Sequence, residues 1–164
     1  MTGRNSAELR FLVKGTGLAA PARTTPRRAD DLWKTTCFEL FLRPATGDAY
    51  FEFNFSPSTR WAAYAFESHR QGRLDLPQSV EPRVEREPAR PTGADYRLDA
   101  IVHFSEIPST AFRMGLSAII EEMDGTKSYW ALAHPLGDEP DFHDPACFAI
   151  ELPPAPDSSS SPRT

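Results

Sequence analysis

The sequence predicts an all-β chain folded as an antiparallel β-sandwich of about nine short strands. Three observations carry that reading. Apolar and polar residues alternate through Tyr50-Phe51-Glu52-Phe53-Asn54-Phe55, as they do in a strand with one face in a core. Turn signals such as Pro44-Ala45-Thr46-Gly47-Asp48 and Ser56-Pro57-Ser58-Thr59 recur at short intervals. Many of the 16 prolines fall between apolar runs, which suits short strands better than long helices.

Each element follows from its own residues. Glu8 to Lys14 reads as a first strand, and Gly15 to Asp30 as a loop rich in Pro, Thr, Arg and Ala. Thr35 to Arg43, Tyr50 to Phe55 and Arg60 to Glu67 read as three successive antiparallel strands. Ser68 to Gln78 is a polar loop. Val80 to Glu87, with Pro82 and many charges, reads as an edge strand. Tyr96 to Phe104 alternates well. Phe112 to Glu122 and Lys127 to Ala133 form a hairpin across Met123-Asp124-Gly125-Thr126, and Cys147 to Leu152 closes the domain. The segment Phe112 to Met123 could also be helical, but its neighbours need an antiparallel partner, so it is read as a strand. The single domain spans residues 8–153, and the Pro- and Ser-rich tail 154–164 is expected to be disordered.

Burial selects the register of the first hairpin. Pairing Arg43 with Tyr50 sets Leu42 opposite Phe51, Leu40 opposite Phe53 and Phe38 opposite Phe55, all on one apolar face. The other face then pairs Phe41 with Glu52 and Glu39 with Asn54, the latter about 5 Å apart at Cβ. The next turn leaves two registers open. Phe55 opposite Arg60 would put Trp61 on the polar face, whereas a bulge near Pro57 would put Arg60 and Tyr64 there. In the second register Arg60 supplies a cation to Glu39 and Glu52.

The totals exclude several function classes. The chain of 164 residues has a net charge of −5, which opposes binding to nucleic acid phosphates. No apolar stretch approaches the roughly 20 residues of a membrane span. The apolar run Phe11-Leu12-Val13 is too short for a signal-peptide core, so a cytoplasmic location is expected. Cys37 and Cys147 match no zinc spacing and read as two small buried hydrophobes, although a bridge between them stays open.

The polar face is the candidate site. Trp33, Glu39, Phe41 and Arg60, with the later segments Ser128-Tyr129-Trp130-Ala131-Leu132-Ala133-His134-Pro135 and Pro140-Asp141-Phe142-His143-Asp144-Pro145, resemble the DOMON-like sandwich domains. The pattern is similar to that of carbohydrate-binding modules of family nine and of a bacterial single-domain subgroup, over roughly Leu9 to Leu152. The resemblance implies a jelly-roll-like sandwich that binds a small molecule, a saccharide or sugar derivative, without converting it. It also implies that Trp33 stacks on the sugar and that Glu39 and Arg60 orient its hydroxyls. The family clamps its sugar between two Trp rings. This chain departs from that pattern by offering Phe142 in the later loop, with Trp130 as the alternative. Glu52, Asn54 and Tyr64 complete the expected ligand-binding set. Aromatic rings cover the C–H face of a pyranose while carboxylates, amides and guanidinium groups meet its hydroxyl rim.

Three rival readings share these residues. Some DOMON relatives bind haem through Met and His, here drawn from Met114, Met123, His69, His103, His134 and His143, but no c-type haem attachment motif occurs. Glu39 and Glu52 could act as an acid/base pair on a glycoside. His134, Asp141, His143 and Asp144 cluster in one segment and could hold a divalent ion, with Asp138 joining Asp141 and Asp144 for calcium. The expectation is nonetheless a domain with neither cofactor nor metal.

Overall fold

A computed structural model describes residues 6–15, 17–87 and 95–154. The tail expected from residue 154 lies, from 155 onward, outside the described residues. The described residues form ten strands: β1 (Ser6–Val13), β2 (Cys37–Pro44), β3 (Tyr50–Phe55), β4 (Trp61–Phe66), β5 (Leu74–Asp75), β6 (Arg83–Arg86), β7 (Tyr96–His103), β8 (Phe112–Glu121), β9 (Lys127–Ala131) and β10 (Ile150–Leu152). Two antiparallel sheets form a sandwich. The smaller has the order β1-β7-β6; the larger runs β10-β8-β2-β3-β4-β5, with β9 also pairing along β8.

The expected register of the first hairpin is the observed one. Phe38, Leu40 and Leu42 face Phe55, Phe53 and Phe51, while Glu39 and Phe41 face Asn54 and Glu52. The apolar set meets Leu98, Ala100 and Val102 of β7 and Val84 of β6 in the core between the sheets. Alternating Ala7, Leu9, Phe11 and Val13 of β1 pack against the same core. Phe112 to Glu121 is a strand, as its neighbours require: it pairs with β2 on one edge and with β9 and β10 on the other.

The turn after β3 settles the open register. Phe55 pairs with Trp61, and the five residues between them close the turn, with Thr59 at φ 72°. Ser56 and Arg60 join their backbones across it at 3.0 Å. Trp61 therefore enters the inter-sheet core, and Tyr64 shares the outer face with Glu52.

Other elements differ from expectation. The polar loop 68–78 contains β5, whose two residues extend the sheet beyond β4. The closing strand begins at Ile150, because Pro145–Cys147 forms a 3-10 turn with Pro at its start and the Asp144 side chain accepting from the Ala146 N–H. A second 3-10 turn, Leu32–Lys34, lies in the stretch before β2. Cys37 and Cys147 are both free thiols.

The outer face of the larger sheet is also covered. Leu32, Phe142, Cys147 and Phe148 from connecting segments bury Phe41, Tyr50, Ala62, Tyr64, Phe66 and Ile119 in a second apolar cluster. Gly115 of β8 lets this layer approach. A Cβ there would stand 3.0 Å from the Cys147 carbonyl oxygen and 3.0 Å from the Phe148 ring. Gly115→Val is accordingly expected to destabilise the fold by about 1–3 kcal/mol through overpacking. Gly115→Ala should cost less. Urea denaturation of the two variants checks this, and unchanged stability in both would mean that the covering turn is not packed on β8.

Candidate functional site

The covering layer leaves one cleft of about 500 Å³ open above the outer face. Its floor carries Glu39 from β2 and Glu52 from β3, only 3% and 5% exposed. They arrive there by strand parity, since each alternates with a residue of the inter-sheet core. Ser117, opposite Glu39 on β8, donates its hydroxyl to Glu39 Oε2 at 2.8 Å. Asn54 donates Nδ2–H to Glu52 Oε1 at 2.8 Å and leaves its own Oδ1 buried without a partner.

Aromatic rings form the walls. Trp33 rises from the 3-10 turn at the rim, 49% exposed, with the Lys34 ammonium 5.8 Å from its ring centre. That turn is tied down by an ion pair between Lys34 and Asp31 at 2.7 Å. Tyr64 donates its hydroxyl to Asp30 at 2.6 Å, and the guanidinium groups of Arg28 and Arg73 lie 5.5 and 5.0 Å from its ring centre. Phe66 lines the same side, while Tyr129 and Phe142 lie with ring centres 6.3 Å apart on the other.

A polar clasp holds the covering segment in place. Asp141 accepts from Arg70 Nη2 and pairs with His69 Nε2, both at 2.8 Å, joining the loop after β4 to the loop before β10. The Arg70 backbone N–H donates to the Tyr50 hydroxyl at 3.0 Å, and that hydroxyl meets His143 Nδ1 at 2.7 Å. With the Arg70 N–H donating to it, the Tyr50 hydroxyl can give its own proton to Nδ1, the arrangement that puts the His143 proton on Nε2, 3.8 Å from Glu52 Oε2. Burial, aided by the Arg70 charge, pushes the His143 pKa down to about 4 and keeps the ring neutral.

Both floor carboxyls are held above the ordinary glutamate range. For Glu39 the cause is burial first and the neighbouring Glu52 charge second, opposed by the Ser117 hydrogen bond and by the Arg70 charge. For Glu52 it is burial, opposed by the Asn54 hydrogen bond and by the charges of Arg73 and Arg70. No Lys or Arg nitrogen lies within 4 Å of either carboxylate among the described residues.

Of the residues expected from the sequence, Trp33, Glu39, Glu52, Tyr64 and Phe142 line this cleft, and Asn54 is buried on the same face beside Glu52. Arg60 does not. It sits half-buried in the turn beyond Asn54, at the end of the hairpin away from Phe66, with its Nε lacking a partner. Arg70 and Arg73 bring the guanidinium groups to the cleft instead. Trp130 is neither core nor cleft wall. It faces a second groove beside Phe11, Leu12 and Ile120 and is 63% exposed, because its pairing with Ala118 directs it away from the face of Ile119. The ring that does reach the cleft is its neighbour Tyr129, paired with Ile119.

The residues weighed as metal ligands have other partners. Asp141 is engaged by His69 and Arg70, His143 by Tyr50, Asp144 caps its turn, and His134 packs toward Phe142 at 6.2 Å. Among the described residues, no group of three or more His, Cys, Asp or Glu is gathered to hold an ion. Met114 packs against the inter-sheet core and Met123 is exposed, so neither faces the cleft.

With this geometry in hand, comparison with known proteins is informative on one point. Neither a family model nor a curated protein matches the chain. Among solved structures it is similar to the crystal structure of a proposed carbohydrate-binding protein from Bacteroides uniformis, with a TM-score of 0.58 and 15% identity over 88% of this chain and 70% of that one. What the two share is the fold.

The floor carboxyls make stability depend on pH. A carboxyl whose folded pKa is raised contributes stability that is complete below its unfolded value, 4.5 for Glu39, and is lost as pH rises through the folded value. The opposite sign applies to His143, whose contribution is lost as pH falls from 6.5 toward about 4. Glu39→Gln removes the first term and leaves the second. Relative to the parent protein, the variant should gain on the order of 2 kcal/mol at about pH 8 and almost nothing at about pH 5. Thermal unfolding of both proteins across this range checks it; a gain independent of pH would contradict the assignment.

Proposed function

We propose that the protein is a non-catalytic ligand-binding domain of the DOMON-like, jelly-roll kind, and that its ligand is a saccharide or sugar derivative held in the outer-face cleft. One observation carries the reading: a cleft walled by Trp33, Tyr64, Tyr129 and Phe142 stands over a buried polar floor of Glu39 and Glu52. A concave site that is mostly aromatic with a few convergent polar groups suits a pyranose. Trp33 and Phe142 take the stacking roles, and Glu39 and Glu52 meet hydroxyls. The sandwich shared with the B. uniformis protein supports the architecture, and that protein's proposed carbohydrate binding is consistent with the ligand class.

A second reading has one observation in its favour. A glycosidase needs a carboxyl that is still protonated near neutral pH, and burial raises Glu39 and Glu52 toward that condition. Release of reducing sugar from chromogenic glycosides by the parent protein, lost in Glu39→Gln, would establish it.

Binding itself is tested by a thermal-shift panel of mono- and disaccharides, followed by calorimetry on any hit. Trp33 is exposed and contributes little to the core, so Trp33→Ala should fold normally. It should weaken the bound sugar by about tenfold or more, a loss in keeping with removing an aromatic platform. Unchanged affinity in Trp33→Ala would remove the cleft from consideration.

A further inference from the structure

The floor of the cleft is short of hydrogen-bond donors. Ser117 satisfies Glu39 Oε2 and Asn54 satisfies Glu52 Oε1. Among the described residues Glu39 Oε1 makes no hydrogen bond, and Glu52 Oε2 has only His143 Nε2 at 3.8 Å, beyond hydrogen-bonding distance. Asn54 Oδ1, on the same face, is buried and unpartnered although the residue is 1% exposed. With both carboxyls ionised, the form a bound cation favours, Glu39 Oε1 and Glu52 Oε2 are two acceptors left over in the cleft lining, and Asn54 Oδ1 lies buried beneath them. A sugar hydroxyl offers a single proton and brings lone pairs of its own. An ammonium group offers three protons and no lone pair.

Charge points the same way. Glu39 and Glu52 lie beneath the cleft with no guanidinium or ammonium within 4 Å among the described residues. The two arginines that line the cleft are engaged at its rim, Arg70 with Asp141 at 2.8 Å and Arg73 against the Tyr64 ring at 5.0 Å. A bound cation would supply the missing charge.

We propose that the ligand is an amino sugar whose ammonium group sits against Glu39 and Glu52 on the cleft floor. The proposal rests on the saccharide reading above and narrows its ligand class. The aromatic walls take the ring, and the floor takes the charged amine through charge-assisted hydrogen bonds.

The test is calorimetry near neutral pH on the full chain, with D-glucosamine, N-acetyl-D-glucosamine, D-glucose and D-glucuronate as probes. Glucosamine is expected to bind about tenfold or more tightly than glucose, and acetylation, which removes the charge and two donors, should abolish the advantage. In Glu39→Gln the ratio of glucosamine to glucose affinity should fall toward one; should that variant fail to fold, the ranking of the four probes on the parent protein decides alone. Equal affinity for glucose and glucosamine would overturn the amino-sugar assignment and leave the saccharide reading standing. Preference for glucuronate would likewise overturn it, in favour of an anion drawn to Arg70 and Arg73. Failure of every sugar to bind would overturn both.

Discussion

Burial of Phe38, Leu40, Leu42, Phe53 and Phe55 between the two sheets is the constraint on which the cleft depends. Side chains alternate along a strand, so locking those five rings and leucines inward forces Glu39, Glu52 and Asn54 outward together. A slip of one residue would bury the carboxylates against β7 and expose the phenylalanines, at a cost of several kcal/mol per charged group. The site is therefore specified by the core rather than by interactions among its own polar members. That separation lets a floor of mutually repelling acids exist without endangering the register that holds it.

The outer face needs a second device, because a sheet face with acids on it does not attract an apolar cover. The cover comes instead from Phe41, Tyr50, Phe66 and Ile119, which surround the acids and draw Phe142 and Phe148 over them. Gly115 permits the close approach, and the Asp141 clasp to His69 and Arg70 fastens the segment to the loop after β4. His143 works from the same segment. Neutral, and fixed by Tyr50, it presents Nε2 toward Glu52 without bringing a charge into the cleft. The arrangement keeps the floor acids short of partners inside the protein itself.

Much of this was legible in the residues. The period-two pattern gave the strands and the hairpin register, and that register alone put Glu39, Glu52 and Asn54 on one face. Trp33, singled out by the resemblance to DOMON-like domains, and Phe142, which stands where that resemblance expects a Trp, both line the cleft. What escaped depended on contacts far apart in the chain. Ser117 meets Glu39 only because β8 pairs with β2, a register with no local turn to fix it. The same pairing decides that Tyr129, not Trp130, faces the cleft. Arg60 was favoured for its place in the hairpin. The five-residue turn keeps Tyr64 on the right face but carries Arg60 past the end of the site, while Arg70 and Arg73 come from a polar loop without periodicity.

Sequences usually violate local rules at functional positions, and the floor of this cleft is where this chain does so. Two glutamates beneath a covering layer, on a sheet face otherwise lined by Phe41, Tyr50 and Ile119, cost stability that Gln or Leu at the same positions would not. If the acids served the fold, a Lys or Arg would stand against them, as Arg97 stands against Asp99 on β7 and Arg28 against Asp30 and Asp75 beside Tyr64. The chain thus pairs several of its surface acids with arginines and, among the described residues, sets no Lys or Arg nitrogen within 4 Å of Glu39 or Glu52. Arg70 and Arg73 act on this pair of buried acids only from a distance, and a cation arriving from outside would complete the site under the open cleft.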